Sequence, residues 1–216
     1  MNPVVLASSP LVGAEAMQGV ADRLRWSGRE VAVPDVPPDL DEFAASVAAH
    51  IRPTSVLVGY SAAGPRLFQV AALARPAAVV LLDARLPADG VAPDAAPEFA
   101  EFLDRLPVAD GLLPPWSEWW PDAIAELIPD RETRSTFART CPRVDRAMFS
   151  RPIPAPDFDG PCGFVGLGAG YATDAEHARR RGWPVMVVDG ANHLWPVVEA
   201  AAVADALGEM IDRLVT

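Results

Sequence analysis

Short runs of Val, Leu and Ile alternate along this chain with longer Ala-rich stretches whose apolar residues recur at helical spacing. That alternation predicts βα units feeding a parallel sheet. The first strand is expected over Val4 to Leu6, followed by a Ser8-Ser9-Pro10 loop and a helix from about Ala14 to Trp26 that stops at Gly28. A second strand, Glu30 to Val33, is closed by Pro34, and a helix over Asp41 to His50 follows, with Asp39 or Asp41 as its cap. The third strand, Ser55 to Val58, ends at Gly59 and turns sharply into a helix over about Ala62 to Ala74. The fourth, Ala77 to Leu82, ends at Asp83.

Beyond Asp83 the rhythm breaks into a Pro-, Trp- and acid-rich stretch, and residues 84–160 read as an insertion capping the sheet. Within it helices are expected near Pro97 to Leu106, Trp116 to Leu127 and Arg131 to Cys141, separated by Pro107, Pro114, Pro115 and Pro129. The βα rhythm then resumes with a strand Gly163 to Leu167, a helix Thr173 to Arg181, a strand Val185 to Val188 and a last helix from about Val197 to Leu214. The expectation is a six-stranded α/β protein, and a chain of 216 residues can bury its core as a single domain, 1–216.

Composition narrows the function classes. Half of the residues are hydrophobic and 22% are charged, the balance of a folded globular protein. The net charge of −11, with no lysine at all, gives a surface that repels phosphate backbones, so nucleic acid is not expected as a partner. No apolar run approaches the roughly 20 residues of a membrane-spanning helix, so no membrane partner is expected either. Cys141 and Cys162 belong to no CxxC or Cys/His cluster, and both read as reduced thiols rather than as a disulfide or a metal site. No metal and no organic cofactor is expected. Met1-Asn2-Pro3 carries no basic n-region, so a cytoplasmic protein without a signal peptide is the expectation. Oligomeric state is not legible.

The candidate chemistry begins at Val56-Leu57-Val58-Gly59-Tyr60-Ser61-Ala62-Ala63-Gly64. A serine stands just past the glycine that ends a strand, with small residues where the next helix must begin. Ser61 would also serve as an ordinary helix N-cap. A second segment, Val187-Val188-Asp189-Gly190-Ala191-Asn192-His193-Leu194, places a histidine on the tight turn after the last strand. His50 and His177 sit among arginines on helices and read as surface residues.

The first segment resembles the nucleophile elbow of the α/β-hydrolases, and a serine after the third strand with a histidine after the last resembles their chain order of Ser, acid, His. The likeness extends from Val4 to Leu214, with the usual N-terminal hairpin missing and Ala63 where the motif has its second glycine. It implies a mostly parallel six-stranded sheet with helices on both faces and a small helical cap. It also implies that Ser61 is the nucleophile, that His193 is the general base, and that the Ala62 N–H faces the oxyanion.

The acid is open between two positions. Asp83, at the end of the strand after the elbow, is preferred, and Asp174 is the alternative. Asp174 also reads as part of a Thr173-x-x-Glu176 capping box, and Asp189 is a weaker third choice because it shares the turn with His193. The second oxyanion donor is implied to come from the loop after the first strand. Pro10 there has no N–H, which leaves Leu11 or Ser9. Trp116, Trp119 and Trp120 suggest an apolar substrate pocket under the cap, although they would equally glue the cap to the body. A serine hydrolase acting on a small hydrophobic ester, thioester or lactone is the expected activity. Its rivals are a non-hydrolytic enzyme on the same scaffold, hydroxynitrile-lyase-like or cyclising, and a catalytically silent small-molecule-binding protein.

Overall fold

The computed structural model describes residues 1–37, 40–93 and 96–215; Asp39, weighed above as a helix cap, lies outside them. Strand β1 (Val4–Ala7) leads through a 3₁₀ turn at Ala14–Met17 into helix α1 (Gln18–Trp26). Strand β2 (Val31–Ala32) and helix α2 (Phe43–Ala48) are shorter than the sequence suggested, and the N-cap position of α2 is Glu42, whose side chain makes no capping hydrogen bond, rather than Asp41. Strand β3 (Val56–Tyr60) runs past Gly59 and opens directly into a 3₁₀ stretch, Ser61–Arg66, before helix α3 (Leu67–Ala74). Pro65 explains the delay: it has no N–H to donate and its ring crowds the preceding turn, so regular α-helix starts only after it. Strand β4 (Ala78–Leu82) follows.

The segment between β4 and the next long strand carries α4 (Pro97–Arg105), β5 (Leu112–Leu113), a 3₁₀ turn at Trp116–Glu118, α5 (Pro121–Leu127), α6 (Arg131–Thr140), β6 (Val144–Asp145) and α7 (Ala147–Ser150). The single helix expected over Trp116 to Leu127 is therefore split, because Pro121 takes the first position of α5 and leaves the tryptophans in a separate turn. The antiparallel β5–β6 pair was not legible, since two-residue strands have no period to read. The chain then returns through β7 (Cys162–Gly166), α8 (Ala172–Arg180), β8 (Val185–Val187), α9 (Trp195–Val198) and α10 (Ala200–Val215). The long helix expected at the C-terminus breaks at Glu199, whose φ of −133° and ψ of 46° are not helical.

The main sheet has the strand order β2-β1-β3-β4-β7-β8, and every neighbouring pair is parallel. Alternation along each strand divides the interior into two layers. Val4 and Leu6 of β1, Val58 and Tyr60 of β3, and Val80 and Leu82 of β4 join one cluster with α1 and α10. Val5, Leu57, Val79 and Leu81, offset by one residue, join the other with α2, α3 and α8. The 84–160 segment packs on the first layer through Leu103, Leu113, Trp119, Ile124, Phe137 and Phe149.

The turn after β3 is held by two close approaches. A Cβ on Gly59 would fall 2.4 Å from the Leu67 side chain, and one on Gly64 would fall 2.6 Å from the Arg85 carbonyl oxygen and 2.7 Å from Ala84 Cβ. Backbone at that distance has no room to yield. Gly64→Ala should therefore cost about 1–3 kcal/mol by overpacking. Gly208→Ala, in α10 with open space at its Cβ position, should stabilise by up to about 1 kcal/mol through helix propensity. Urea midpoints at unchanged slope would register both.

Candidate active site

In a parallel sheet all carboxyl ends share one edge, and register decides which residues meet there. Tyr60, the last residue of β3, pairs with Leu82, the last of β4, so Ser61 and Asp83 leave the sheet side by side. Both step into the left-handed region, with φ of 56° at Ser61 and 42° at Asp83, and both are non-glycine residues. Such a conformation costs on the order of 1–3 kcal/mol and turns the chain sharply, which aims each side chain along the sheet edge rather than into a layer. The third participant arrives after β8. Leu194 is fully buried and Asn192 Oδ1 accepts the Leu194 N–H at 2.9 Å, so the turn carrying His193 is pinned from both sides.

The three side chains form a continuous chain of hydrogen bonds. His193 Nδ1 lies 2.6 Å from Asp83 Oδ2, and His193 Nε2 lies 3.0 Å from Ser61 Oγ. The other oxygen, Asp83 Oδ1, accepts the Leu167 N–H at 2.7 Å. An ionised carboxylate accepts only, so the proton of a neutral imidazole belongs on Nδ1, and the Nε2 lone pair is left to receive the Ser61 hydroxyl proton. Asp83 is 1% exposed and Ser61 8% exposed, so the pairing operates largely out of water.

Aromatic rings fix the imidazole plane. Tyr60 stacks on it at 5.0 Å, Tyr171 lies tilted against it at 5.5 Å, and Trp116 approaches edge-on at 6.2 Å. Tyr60 also donates its hydroxyl to the His193 carbonyl at 2.6 Å. The Ser61 side chain opposes part of the upward pKa shift of the Tyr171 hydroxyl. Sequence reading missed both tyrosines. Tyr60 is the variable position beside Ser61, and Tyr171 follows the Gly168-Ala169-Gly170 run, where no local pattern marks an aromatic as part of a site.

Asp174 does not reach His193, whose two ring nitrogens are already engaged; its Oδ1 accepts the Leu86 N–H at 2.8 Å. The Thr173 capping box does not form either, since α8 is flanked by Tyr171 with no side-chain cap. Asp189 is exposed, as are His50 and His177. Ala62 stands in the first turn of the 3₁₀ stretch, where backbone N–H groups have no partner within the helix. The Leu11 N–H is turned back on Ser9 Oγ at 3.2 Å, a bond that an arriving oxyanion would have to displace.

Of the tryptophans, Trp116 reaches His193. Trp119 is buried with its indole N–H on the Pro114 carbonyl at 2.8 Å, and Trp120, 38% exposed, stacks on Phe102 at 4.7 Å. These two serve the packing of the 84–160 segment, and neither makes a ring contact with His193 among the described residues. Among those residues no group of three or more His, Cys, Asp or Glu side chains is placed to hold a metal ion.

A family model described as "Alpha/beta hydrolase family" matches residues 13–206, which include all three members of the hydrogen-bonded chain. The chain belongs to the alpha/beta hydrolase family. No curated protein sequence matches it. Solved structures of alpha/beta hydrolases align over almost the full chain. An extracellular alpha/beta-hydrolase from a Paenibacillus species has a TM-score of 0.80 at 16% identity, covering 97% of this chain and 99% of that one. The pyrethroid hydrolase PytH has a TM-score of 0.73 at 18% identity, covering 98% of each chain. Tomato methylketone synthase I, complexed with 2-tridecanone, has a TM-score of 0.74 at 12% identity, covering 99% of this chain and 98% of that one. At these identities the likeness establishes the fold. No helix among the described residues is long and apolar enough to cross a membrane.

Burial pushes both tyrosine hydroxyls up from their ordinary value, Tyr60 well above it, and the Asp83 charge adds to each. The chain has only these two tyrosines. Ultraviolet titration should therefore show little tyrosinate near pH 10, where a peptide tyrosine is half ionised. Because the folded values are raised, the stability these groups supply is complete below about pH 10 and is lost as pH climbs toward the folded values, so tyrosinate should appear together with alkaline unfolding.

Proposed function

We propose that this alpha/beta hydrolase family member is a cofactor-independent serine hydrolase that cleaves a small hydrophobic ester, thioester or lactone. The observation that carries the reading is the hydrogen-bonded chain Asp83–His193–Ser61 at 2.6 and 3.0 Å, built at the shared edge of a parallel sheet. In this reading Ser61 Oγ attacks the acyl carbon while His193 Nε2 takes its proton. Asp83 holds the imidazole in the Nδ1–H tautomer and steadies the imidazolium. The Ala62 N–H, in the unsatisfied first turn after the elbow, donates to the developing oxyanion. His193 then returns the proton to the leaving oxygen or sulfur, and water, activated by the same imidazole, releases the acyl group and regenerates Ser61.

An apolar substrate is supported by the aromatic surround of His193 and by two of the structural relatives, named as pyrethroid hydrolases or solved with 2-tridecanone. A reducing, cytosolic setting is supported by two buried free cysteines. One observation favours the non-hydrolytic alternative: the Leu11 N–H, one of the two candidates for the second oxyanion donor, is committed to Ser9 Oγ.

A fluorophosphonate probe and a panel of p-nitrophenyl esters from acetate to octanoate decide between these. Hydrolysis requires a single adduct on Ser61 and turnover that disappears in Ser61→Ala and His193→Ala. Asp83→Asn, which can still accept the Leu167 N–H, should reduce kcat by about 10⁴-fold through the wrong tautomer, whereas Asp174→Asn should stay within a few-fold of the parent. Turnover or labelling that survives Ser61→Ala sinks the nucleophile assignment. An adduct on Ser61 with no turnover on any ester favours the non-hydrolytic alternative.

A further inference from the structure

Away from Ser61, a cavity of about 1100 Å³ opens between the loop after β1, the approach to α2 and the returning chain of the 84–160 segment. Neither Ser61 nor His193 lines it. Its apolar walls come from Val36, Leu40, Leu112, Met148 and Ile153. Arg66, on the 3₁₀ stretch that Ser61 opens, lines it as well and is only 6% exposed. The Arg66 guanidinium makes no hydrogen bond or ion pair with a described residue. Every fully sealed side-chain nitrogen or oxygen among the described residues has a partner, so the unbonded guanidinium nitrogens of Arg66, a residue of the cavity wall, keep some contact with solvent.

The other charges of the cavity are disposed differently. Arg143 donates to the Ala109 and Leu112 carbonyls, and Arg151 stands 3.5 Å from Asp41. Glu15, Asp35, Asp41 and Asp145 line the cavity too, and all four are exposed, so they form a hydrated rim above a buried cation. Burial presses the Arg66 pKa down and Asp41 partly opposes it, but an arginine stays protonated, so the part of its desolvation that Asp41 does not offset is a standing cost that a bound anion would relieve. A rim of that sign admits a single negative charge more readily than a double one.

We propose that this cleft binds an amphipathic monocarboxylate, its carboxylate received by the Arg66 guanidinium and its apolar body laid against Leu40, Met148 and Ile153. The planar fork of a guanidinium matches a carboxylate with paired hydrogen bonds. The site does not depend on the chemistry of Ser61, and its test is arranged to keep the two apart.

Sodium octanoate is titrated calorimetrically into Ser61→Ala protein, in which no turnover contributes heat, and into the same protein carrying Arg66→Gln. Octanoate should bind the first at one site and the second at least about tenfold more weakly, the scale of a lost charge-assisted pair. 1-Octanol should bind both alike, and octyl phosphate should bind more weakly than octanoate. Should Arg66→Gln fail to fold, Ala147→Phe fills the cleft from its half-buried side with Arg66 in place and should abolish octanoate binding. Absence of octanoate binding, equal binding after either substitution, or a preference for octyl phosphate would overturn the proposal. Because every arm is read without hydrolysis, its failure and the failure of the hydrolase reading are separate results.

Discussion

A carboxylate as deeply buried as Asp83 must be met by donors, because an unpaired charge at that depth costs several kcal/mol. Here the donors come from opposite directions: the backbone N–H of Leu167 at the end of β7, and the Nδ1–H of His193 from the turn after β8. Three consecutive strand ends are thereby tied to one side chain. Asp83 is further drawn in by its own N–H on the Val165 carbonyl at 2.7 Å. The tautomer of the imidazole, the direction of its free lone pair and the place of Ser61 beside it all follow from this one satisfied anion.

The strain at the sheet edge is tolerable because the frame around it is rigid. Ser61 and Asp83 both sit at positive φ directly after paired strand residues, so neither can relax without breaking the β3–β4 register. Leu67 filling the space over Gly59, and the Arg85 backbone pressed on Gly64, close the remaining freedom. The rings of Tyr60, Tyr171 and Trp116 then confine the imidazole from three sides. The arrangement is a preorganised one, held by packing that is complete before any substrate enters.

The 84–160 segment does two different things on its two sides. Toward the sheet it supplies Trp116 to the His193 environment, while Trp119, Trp120 and Phe102 stack among themselves and anchor the segment. On its return it carries Met148 and Ile153 past the loop after β1 and forms the wall of a separate cleft whose buried cation is Arg66. The 3₁₀ stretch after β3 thus contributes Ser61 to the hydrogen-bonded chain with His193 and Arg66 to the cleft, a consequence of its tight pitch and of Pro65 delaying the helix.

Sequence alone determined the βα alternation, the strand-turn-serine junction and the turn bearing His193, because period and turn chemistry are local properties of the chain. For the acid it preferred Asp83, with Asp174 as the alternative, by a narrow margin, since each stands near a strand or helix end. Which carboxylate meets His193 was decided only by the tertiary structure, through the register that sets Tyr60 against Leu82 and through the Leu86 N–H that occupies Asp174. The roles of Tyr60 and Tyr171, the division of labour among the tryptophans and the unpartnered Arg66 were equally out of reach. Each depends on which residues far apart in the chain come to share one small volume, and no local pattern records that.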